Sequence, residues 1–200
     1  MKYDSPWPHM IVDDFLEKED IDSLLKEAEN ILELGEKPTV RHRLLCHWDC
    51  ASNTVKSKVD LNEDINFRGA YVSEVEHLPK KYEPKLKKIY KQFKEKSPKH
   101  TSVLMELMIC NEKFQYKIHD ESPYKLLSTV TYISKDENNG TTMYTSEEDE
   151  YSNPEKKVEW LQNRCFIFSG ERGRTWHAFS SNGKNIRITL NLFLTEDKSI

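Results

Sequence analysis

The sequence predicts an α+β domain, with helices packed on one side of a β-sandwich or barrel. Two observations carry this. Apolar residues recur at helical spacing in the first hundred residues, and at alternate positions in the second hundred. Turn signals rich in Gly and Asn punctuate that later half, the order expected when helices precede a run of antiparallel strands. Two hundred residues suit one domain with a sizeable core.

Each element has its own reason. Pro8–Asp13 is short and apolar in its middle and reads as a strand. From Leu16 to Leu34, the residues Ile21, Leu24, Leu25, Ala28, Ile31 and Leu32 form the stripe of a helix with one buried face, and Gly35 stands where it should stop. A second helix is expected from Glu83 to Lys96, with Pro84 in its first turn and Leu86, Ile89, Tyr90 and Phe93 as its stripe. Around it Lys80, Lys81, Lys85, Lys87, Lys88, Lys91 and Lys94 read as a solvated face. Six segments then alternate as strands: 102–110, 114–119, 126–134, 141–145, 164–169 and 186–194. Turns at Asn138-Asn139-Gly140, Ser169-Gly170 and Ser181-Asn182-Gly183 separate them. Residues 36–82 have the weakest periodicity. Residues 147–157, acidic then basic around Pro154, read as a solvated loop, or more sharply as a lid.

Composition excludes several classes. A net charge of −4 shows no basic excess of the kind a nucleic-acid binder carries, so no nucleic-acid partner is expected. No run of eighteen apolar residues is long enough for a membrane helix, and the first residues lack the basic flank and apolar stretch of a signal peptide. A cytoplasmic location with four reduced cysteines is the expectation.

Three features in the strand-rich half bear chemistry. In His119-Asp120-Glu121, side chains at i and i+2 on a strand share a face, so His119 and Glu121 converge while Asp120 points away. A His nitrogen with a carboxylate oxygen suits a metal such as iron, although two surface residues at a strand end make the same triplet. His177 lies among Trp176, Ala178 and Phe179, as a core histidine would, and just after a predicted strand, as a ligand on a barrel rim would. In the last strand Ile186, Ile188, Leu190, Leu192 and Leu194 make one face, while Arg187, Thr189, Asn191 and Phe193 make the other. If both faces are covered, Arg187 is buried without an acid in its own strand, and together with Thr189 it can bind a carboxylate. If the strand lies at an edge, that face is simply wet.

The order His119-x-Glu121, His177, Arg187-x-Thr189 resembles the Fe(II)- and 2-oxoglutarate-dependent oxygenases, and within them the prolyl-hydroxylase-like branch. The arginine of that family commonly falls about ten residues after the distal histidine, and here the spacing is ten. Pro8–Leu16 looks like the opening strand and helix entry of the family. Tyr116 precedes His119 by three residues, Lys125, Thr129 and Tyr132 follow the next strand's pattern, and Asn139-Gly140-Thr141 resembles its glycine turn. The similarity covers nearly the whole chain, most firmly residues 114–194.

The resemblance implies a double-stranded β-helix (jelly-roll) core over residues 101–195, with N-terminal helices packed on one sheet and a helix-rich support over residues 1–100, all one oxygenase domain. It implies Fe(II) on His119, Glu121 and His177, and 2-oxoglutarate as co-substrate held by Arg187, Thr189 and Tyr132, with O2 consumed and a C–H bond hydroxylated. Glu121 departs from the commoner aspartate by one methylene. Its presence favours hydroxylation over halogenation, whose enzymes replace this carboxylate by a small residue. The branch points to a protein or peptide residue, or an amino acid, as substrate. Lys125, Arg172, Arg174 and Trp176 either line the entrance or are ordinary rim and packing. A non-catalytic jelly-roll binding domain is the rival reading, and Cys46-His47-Trp48-Asp49-Cys50 offers a second one, a zinc site.

Overall fold

The computed structural model describes residues 2–34, 38, 40–61, 71–95 and 97–196. Fourteen elements follow in the order β1 (Lys2–Tyr3), β2 (His9–Val12), α1 (Lys18–Glu33), β3 (Arg41–Asp49), β4 (Thr54–Leu61), α2 (Leu78–Lys94), β5 (Ser102–Cys110), β6 (Gln115–His119), β7 (Lys125–Tyr132), β8 (Thr142–Met143), β9 (Lys156–Lys157), β10 (Cys165–Phe168), β11 (His177–Ser180) and β12 (Arg187–Thr195). An eight-stranded sheet has the order β1-β2-β10-β7-β12-β5-β3-β4, and a four-stranded sheet the order β6-β11-β8-β9. Every pairing is antiparallel.

The large sheet has two different faces because its strands alternate. Leu190, Leu192 and Leu194 of β12 share one core with Val103, Met105, Leu107 and Ile109 of β5, with Leu44 and Cys46 of β3, and with the stripes of both helices. The helices therefore lie against this face. Residues in the alternate register turn to the other face: Arg187, Thr189, Asn191 and Phe193 on β12, and Leu104, Glu106 and Met108 on β5. That face looks toward the small sheet. Smaller apolar clusters link the two sheets there, among them Met108 and Cys110 with Phe114 and Phe179.

The short strands β1 and β9, the latter within the expected loop 147–157, were not expected, and three larger segments also differ from the sequence expectation. α2 begins at Leu78, five residues early, so Pro79 takes the N-terminal position and Pro84 sits inside the helix. Burial of Leu78 and Tyr82 on the core extends the helix across a proline that propensity alone places at its start. Residues 41–61, where no element was expected, form the β3–β4 hairpin. Buried positions alternate strictly in β3 but not in β4, and in β3 His42 stands among the inward residues and Arg41 and Arg43 on the other face, which blurs the apolar pattern. Third, His177 opens strand β11 rather than following a strand. The expected helix stop at Gly35 and helix end at Lys96 lie outside the described residues, as do 62–70 of the weakly periodic stretch.

β4 is the outer strand of the large sheet, and Lys56 and Lys58 stand on it. Among the described residues no helix is long and apolar enough to cross a membrane. Several lysines of α2 have specific partners: Lys81 pairs with Glu17 and Asp20, Lys87 with Glu83, and Lys94 with Glu171.

Candidate metal and co-substrate site

A cavity of about 450 Å3 lies between the two sheets. Its floor is the inner face of the large sheet, and cross-strand register sets the floor in rows. Arg187, Cys110 and Arg41 are register neighbours across β12, β5 and β3; Thr189, Met108 and Arg43 make the next row, and Asn191, Glu106 and Leu45 the third. Its wall comes from β6 and β11, which bring Tyr116, His119, His177 and Phe179 to the same space.

His119 and His177 are register partners, with ring centroids 4.2 Å apart. Each ring has one nitrogen on a backbone carbonyl: Nδ1 of His119 lies 2.9 Å from the Lys117 oxygen, and Nδ1 of His177 lies 2.8 Å from that of Thr175. A carbonyl only accepts, so these contacts put the proton on Nδ1 and leave Nε2 with its lone pair. Burial lowers the pKa of both, that of His177 to about 4, so both imidazoles are neutral at pH 7. Tyr116 stands edge-on to His119 at 4.6 Å, and Phe168 edge-on to His177 at 4.9 Å.

Glu121 follows the end of β6 and is buried. Its Oε1 lies 3.9 Å from His177 Nε2. Its Oε2 accepts from Lys125 Nζ at 2.6 Å, and that ammonium also sits 3.8 Å from the centroid of the Phe193 ring. Burial alone would raise the carboxyl pKa, but the Lys125 ammonium, by charge and hydrogen bond, outweighs it and holds Glu121 below its ordinary value. Asp120 turns the other way and accepts from the Gly173 amide at 2.7 Å, pinning the turn before His177. Gly170 in that turn has no room for a side chain, since a Cβ would stand 2.4 Å from the Lys125 carbonyl oxygen.

Arg187 is the largest charged side chain in the interior, 1% exposed. Its Nη1 donates to Thr189 Oγ1 at 3.3 Å and its Nε to the Asn139 carbonyl at 3.4 Å. Phe179 lies 4.4 Å and Trp160 5.4 Å from the guanidinium carbon. No carboxylate pairs with it among the described residues, and Nη2 is buried without a hydrogen bond. Burial lowers its pKa accordingly. Tyr132 stands behind this floor rather than in the cavity. Its hydroxyl accepts from the Thr141 amide at 2.8 Å and faces Thr141 Oγ1 at 3.3 Å, while its ring stacks on Trp160. Thr141 is the residue that reaches the cavity. The preceding Gly140 is required by close approach: a Cβ there would stand 1.8 Å from the Val158 carbonyl oxygen.

The structure thus brings His119, Glu121, His177, Arg187 and Thr189 into one cavity and sets Tyr132 one layer back. Of the four residues considered for an entrance, Lys125 lines the cavity; Trp176 packs beside Ile118, Tyr144 and Ala178 instead. Sequence reasoning missed Arg43 and Glu106. Arg43 bridges Asp60 and Glu106, and Glu106 also accepts from Asn191 Nδ2 at 3.2 Å. The sequence Arg41-His42-Arg43-Leu44-Leu45 carries no apolar alternation that could have signalled them; what alternates there is burial. The zinc reading divides across a strand, because Cys46 is buried on the core face and His47 lies on the opposite one. Burial also pushes the Cys46 thiol up to about 12 and Cys50 to about 11, far from thiolate ligands. In residues 147–157, Asp149 accepts from the Thr145 and Ser146 amides, which orders the start of the loop, and none of the segment lines the cavity.

The donor set fits a divalent metal by its chemistry: two neutral imidazoles with free Nε2 lone pairs and an ionised carboxylate. It is not a closed cage. Among the described residues no three His, Cys, Asp or Glu side chains are drawn together to hold an ion as they stand, and one Glu121 oxygen is on Lys125. The orphaned Arg187 fits the carboxylate of a co-substrate.

No protein-family model and no curated protein matches the sequence. Solved structures do match its fold. A prolyl-4-hydroxylase from Pseudomonas putida superposes with a TM-score of 0.62 at 13% identity, covering 95% of this chain and 93% of that one. A prolyl hydroxylase from Trichoplax adhaerens, in complex with a peptide fragment of hypoxia inducible factor, gives 0.58 at 13% identity over 94% of this chain and 83% of that one. The non-heme alpha-ketoglutarate-dependent epimerase SnoN of nogalamycin biosynthesis gives 0.56 at 14% identity, covering 94% and 77%. The chain has the fold of prolyl hydroxylases and related 2-oxoglutarate-dependent oxygenases, and its two antiparallel sheets are consistent with their jelly roll.

Proposed function

We propose that the protein is an Fe(II)- and 2-oxoglutarate-dependent dioxygenase, a single domain over residues 1–200, that hydroxylates a C–H bond of a protein or peptide residue or of an amino acid. The observation that supports this most is Arg187, a fully buried guanidinium with one orphaned nitrogen, in the same cavity as two neutral histidines and a carboxylate. An uncompensated buried charge is costly, and a fold keeps one where a ligand supplies the counter-charge. The peptide-bound Trichoplax neighbour supports a peptide substrate. A cytoplasmic setting agrees with four free cysteines.

The residues divide the work. His119, Glu121 and His177 would hold iron(II), and Arg187 would take the distal carboxylate of 2-oxoglutarate in a two-point contact. Thr189 accepts from Arg187 and has its own hydroxyl hydrogen to give the same carboxylate. Tyr132 braces Thr141 at the end of that pocket. Tyr116 and Phe179, stacked at 5.3 Å, form an apolar wall that keeps water from the co-substrate. Iron(II) with 2-oxoglutarate supplies the oxidising chemistry when bound, and the chain supplies orientation and a dry site.

The test is an anaerobic titration of the pure protein with Fe(II) and 2-oxoglutarate, followed by the visible charge-transfer band of the chelate. Wild type should develop the band, and Arg187→Ala and His177→Ala should each weaken or abolish it. A folded wild-type protein that gives no band would overturn the proposal in favour of a non-catalytic binding domain, a reading favoured by the Lys125 ammonium already occupying one Glu121 oxygen.

A further inference from the structure

We propose that Lys125 is a positioning residue for the metal site: it holds Oε2 of Glu121, so that only Oε1 is presented beside His177 and Glu121 serves as a one-oxygen ligand. The proposal rests on the oxygenase reading above. Four observations carry it. Lys125 Nζ lies 2.6 Å from Oε2, while Oε1 is the oxygen that lies 3.9 Å from His177 Nε2. Both partners are largely enclosed, with side chains 17% and 7% exposed, so screening by water weakens the contact less than it would at the surface. The ammonium is itself fixed, by the Phe193 ring at 3.8 Å. The backbone beneath is fixed too, because the Lys125 carbonyl packs against Gly170 where no Cβ fits.

The need follows from the residue type. Glutamate has one more rotatable bond than aspartate, so its carboxylate swings further and can offer both oxygens to one ion. Two oxygens would occupy a position that a bidentate co-substrate and dioxygen must share. An ammonium on Oε2 removes that freedom and supplies its own counter-charge.

The test uses Co(II) as an oxygen-stable probe, with calorimetric titration of 2-oxoglutarate into the Co(II)-loaded protein. Lys125→Met should bind Co(II) at least as tightly as wild type yet bind 2-oxoglutarate about tenfold or more weakly, with a changed Co(II) visible spectrum. Lys125→Arg should restore both to within about threefold. If Lys125→Met does not accumulate as folded protein, Lys125→Gln is measured in the same way. Glu121→Asp supplies the readout that separates positioning from direct contact, since the shorter side chain falls back from Lys125. In that background Lys125→Met should change 2-oxoglutarate affinity less than about twofold. An equal loss in both backgrounds would mean that Lys125 touches the co-substrate itself, and would overturn the proposal, as would a Lys125→Met protein indistinguishable from wild type. Failure of the wild type to take up Co(II) and 2-oxoglutarate would instead overturn the oxygenase reading.

Discussion

Of the arginines that face the cavity, Arg43 and Arg187 should answer to mutation in opposite ways. Arg43 is compensated by Asp60 and Glu106, so Arg43→Met leaves the buried Asp60 and the half-buried Glu106 without their cation and should cost about 3–5 kcal/mol in urea unfolding. Arg187 has no acid partner among the described residues, so Arg187→Met should leave the ligand-free protein within about 1 kcal/mol of wild type, or more stable, while abolishing 2-oxoglutarate binding. A large loss of ligand-free stability would show that Arg187 is a structural residue. His177 gives a pH signature. Its folded pKa of about 4 lies below the ordinary 6.5, so the unfolded chain binds the extra proton first as pH falls. Stability of metal-free protein should therefore decline between pH 6.5 and about 4 by on the order of 3 kcal/mol, then level off for this group. Chelator-treated protein in urea at stepped pH measures it, and His177→Gln should flatten the curve. That His119 goes with Glu121 and Arg187 with Thr189 was legible from spacing because an i, i+2 relation is local information, whereas bringing His177 beside His119, 58 residues away, rested on the resemblance. The Arg43–Glu106 contact was not, because it joins residues 63 apart, and no local pattern reports which strands lie side by side.

At the scale of elements, strands with one clean apolar face were legible and mixed ones were not. β12 and β5 alternate without exception on their core face, and both were found. The β3–β4 hairpin carries His42 and Asp60 among its buried positions and arginines facing the cavity, so the alternation of β3 is one of burial more than of hydrophobicity, and β4 has none to read. α2 shows the opposite error, a local rule overridden by packing. Pro84 is exposed inside that helix and removes the hydrogen bond that its position would give to the Lys80 carbonyl. Pro84→Ala should therefore stabilise the protein by about 1–2 kcal/mol, net of the freedom the unfolded chain regains. An unchanged or lower unfolding midpoint would show that the proline packs usefully. Gly140→Ala should do the reverse, because a methyl would overlap the Val158 carbonyl oxygen. The strand end must then shift, at a cost of about 1–3 kcal/mol, with weaker 2-oxoglutarate binding because Thr141 and Arg187 move with it.

The molecule as a whole is a large sheet with helices on one face and a cavity on the other, closed by a smaller sheet. A ligand filling that cavity would bridge the two sheets, meeting residues of β12 on one side and of β6 and β11 on the other. Metal and co-substrate together should raise the unfolding free energy by about 2.7 kcal/mol at a hundredfold excess over the dissociation constant. A thermal melt with Mn(II) and 2-oxoglutarate, against each alone, reads this, and no shift with both present would contradict a site between the sheets.

The hairpin that walls the cavity also determines how the molecule behaves in a crowd. Among the described residues its outer strand β4 ends the large sheet, and a strand edge without a neighbour is a template on which another chain can add itself. Lys56 and Lys58 sit on that rim, where an incoming strand would have to bury or repel their charges. The segment that shapes the pocket thus doubles as the guard of its own border, and exchanging those lysines for valines would invite self-assembly before it disturbed the chemistry inside.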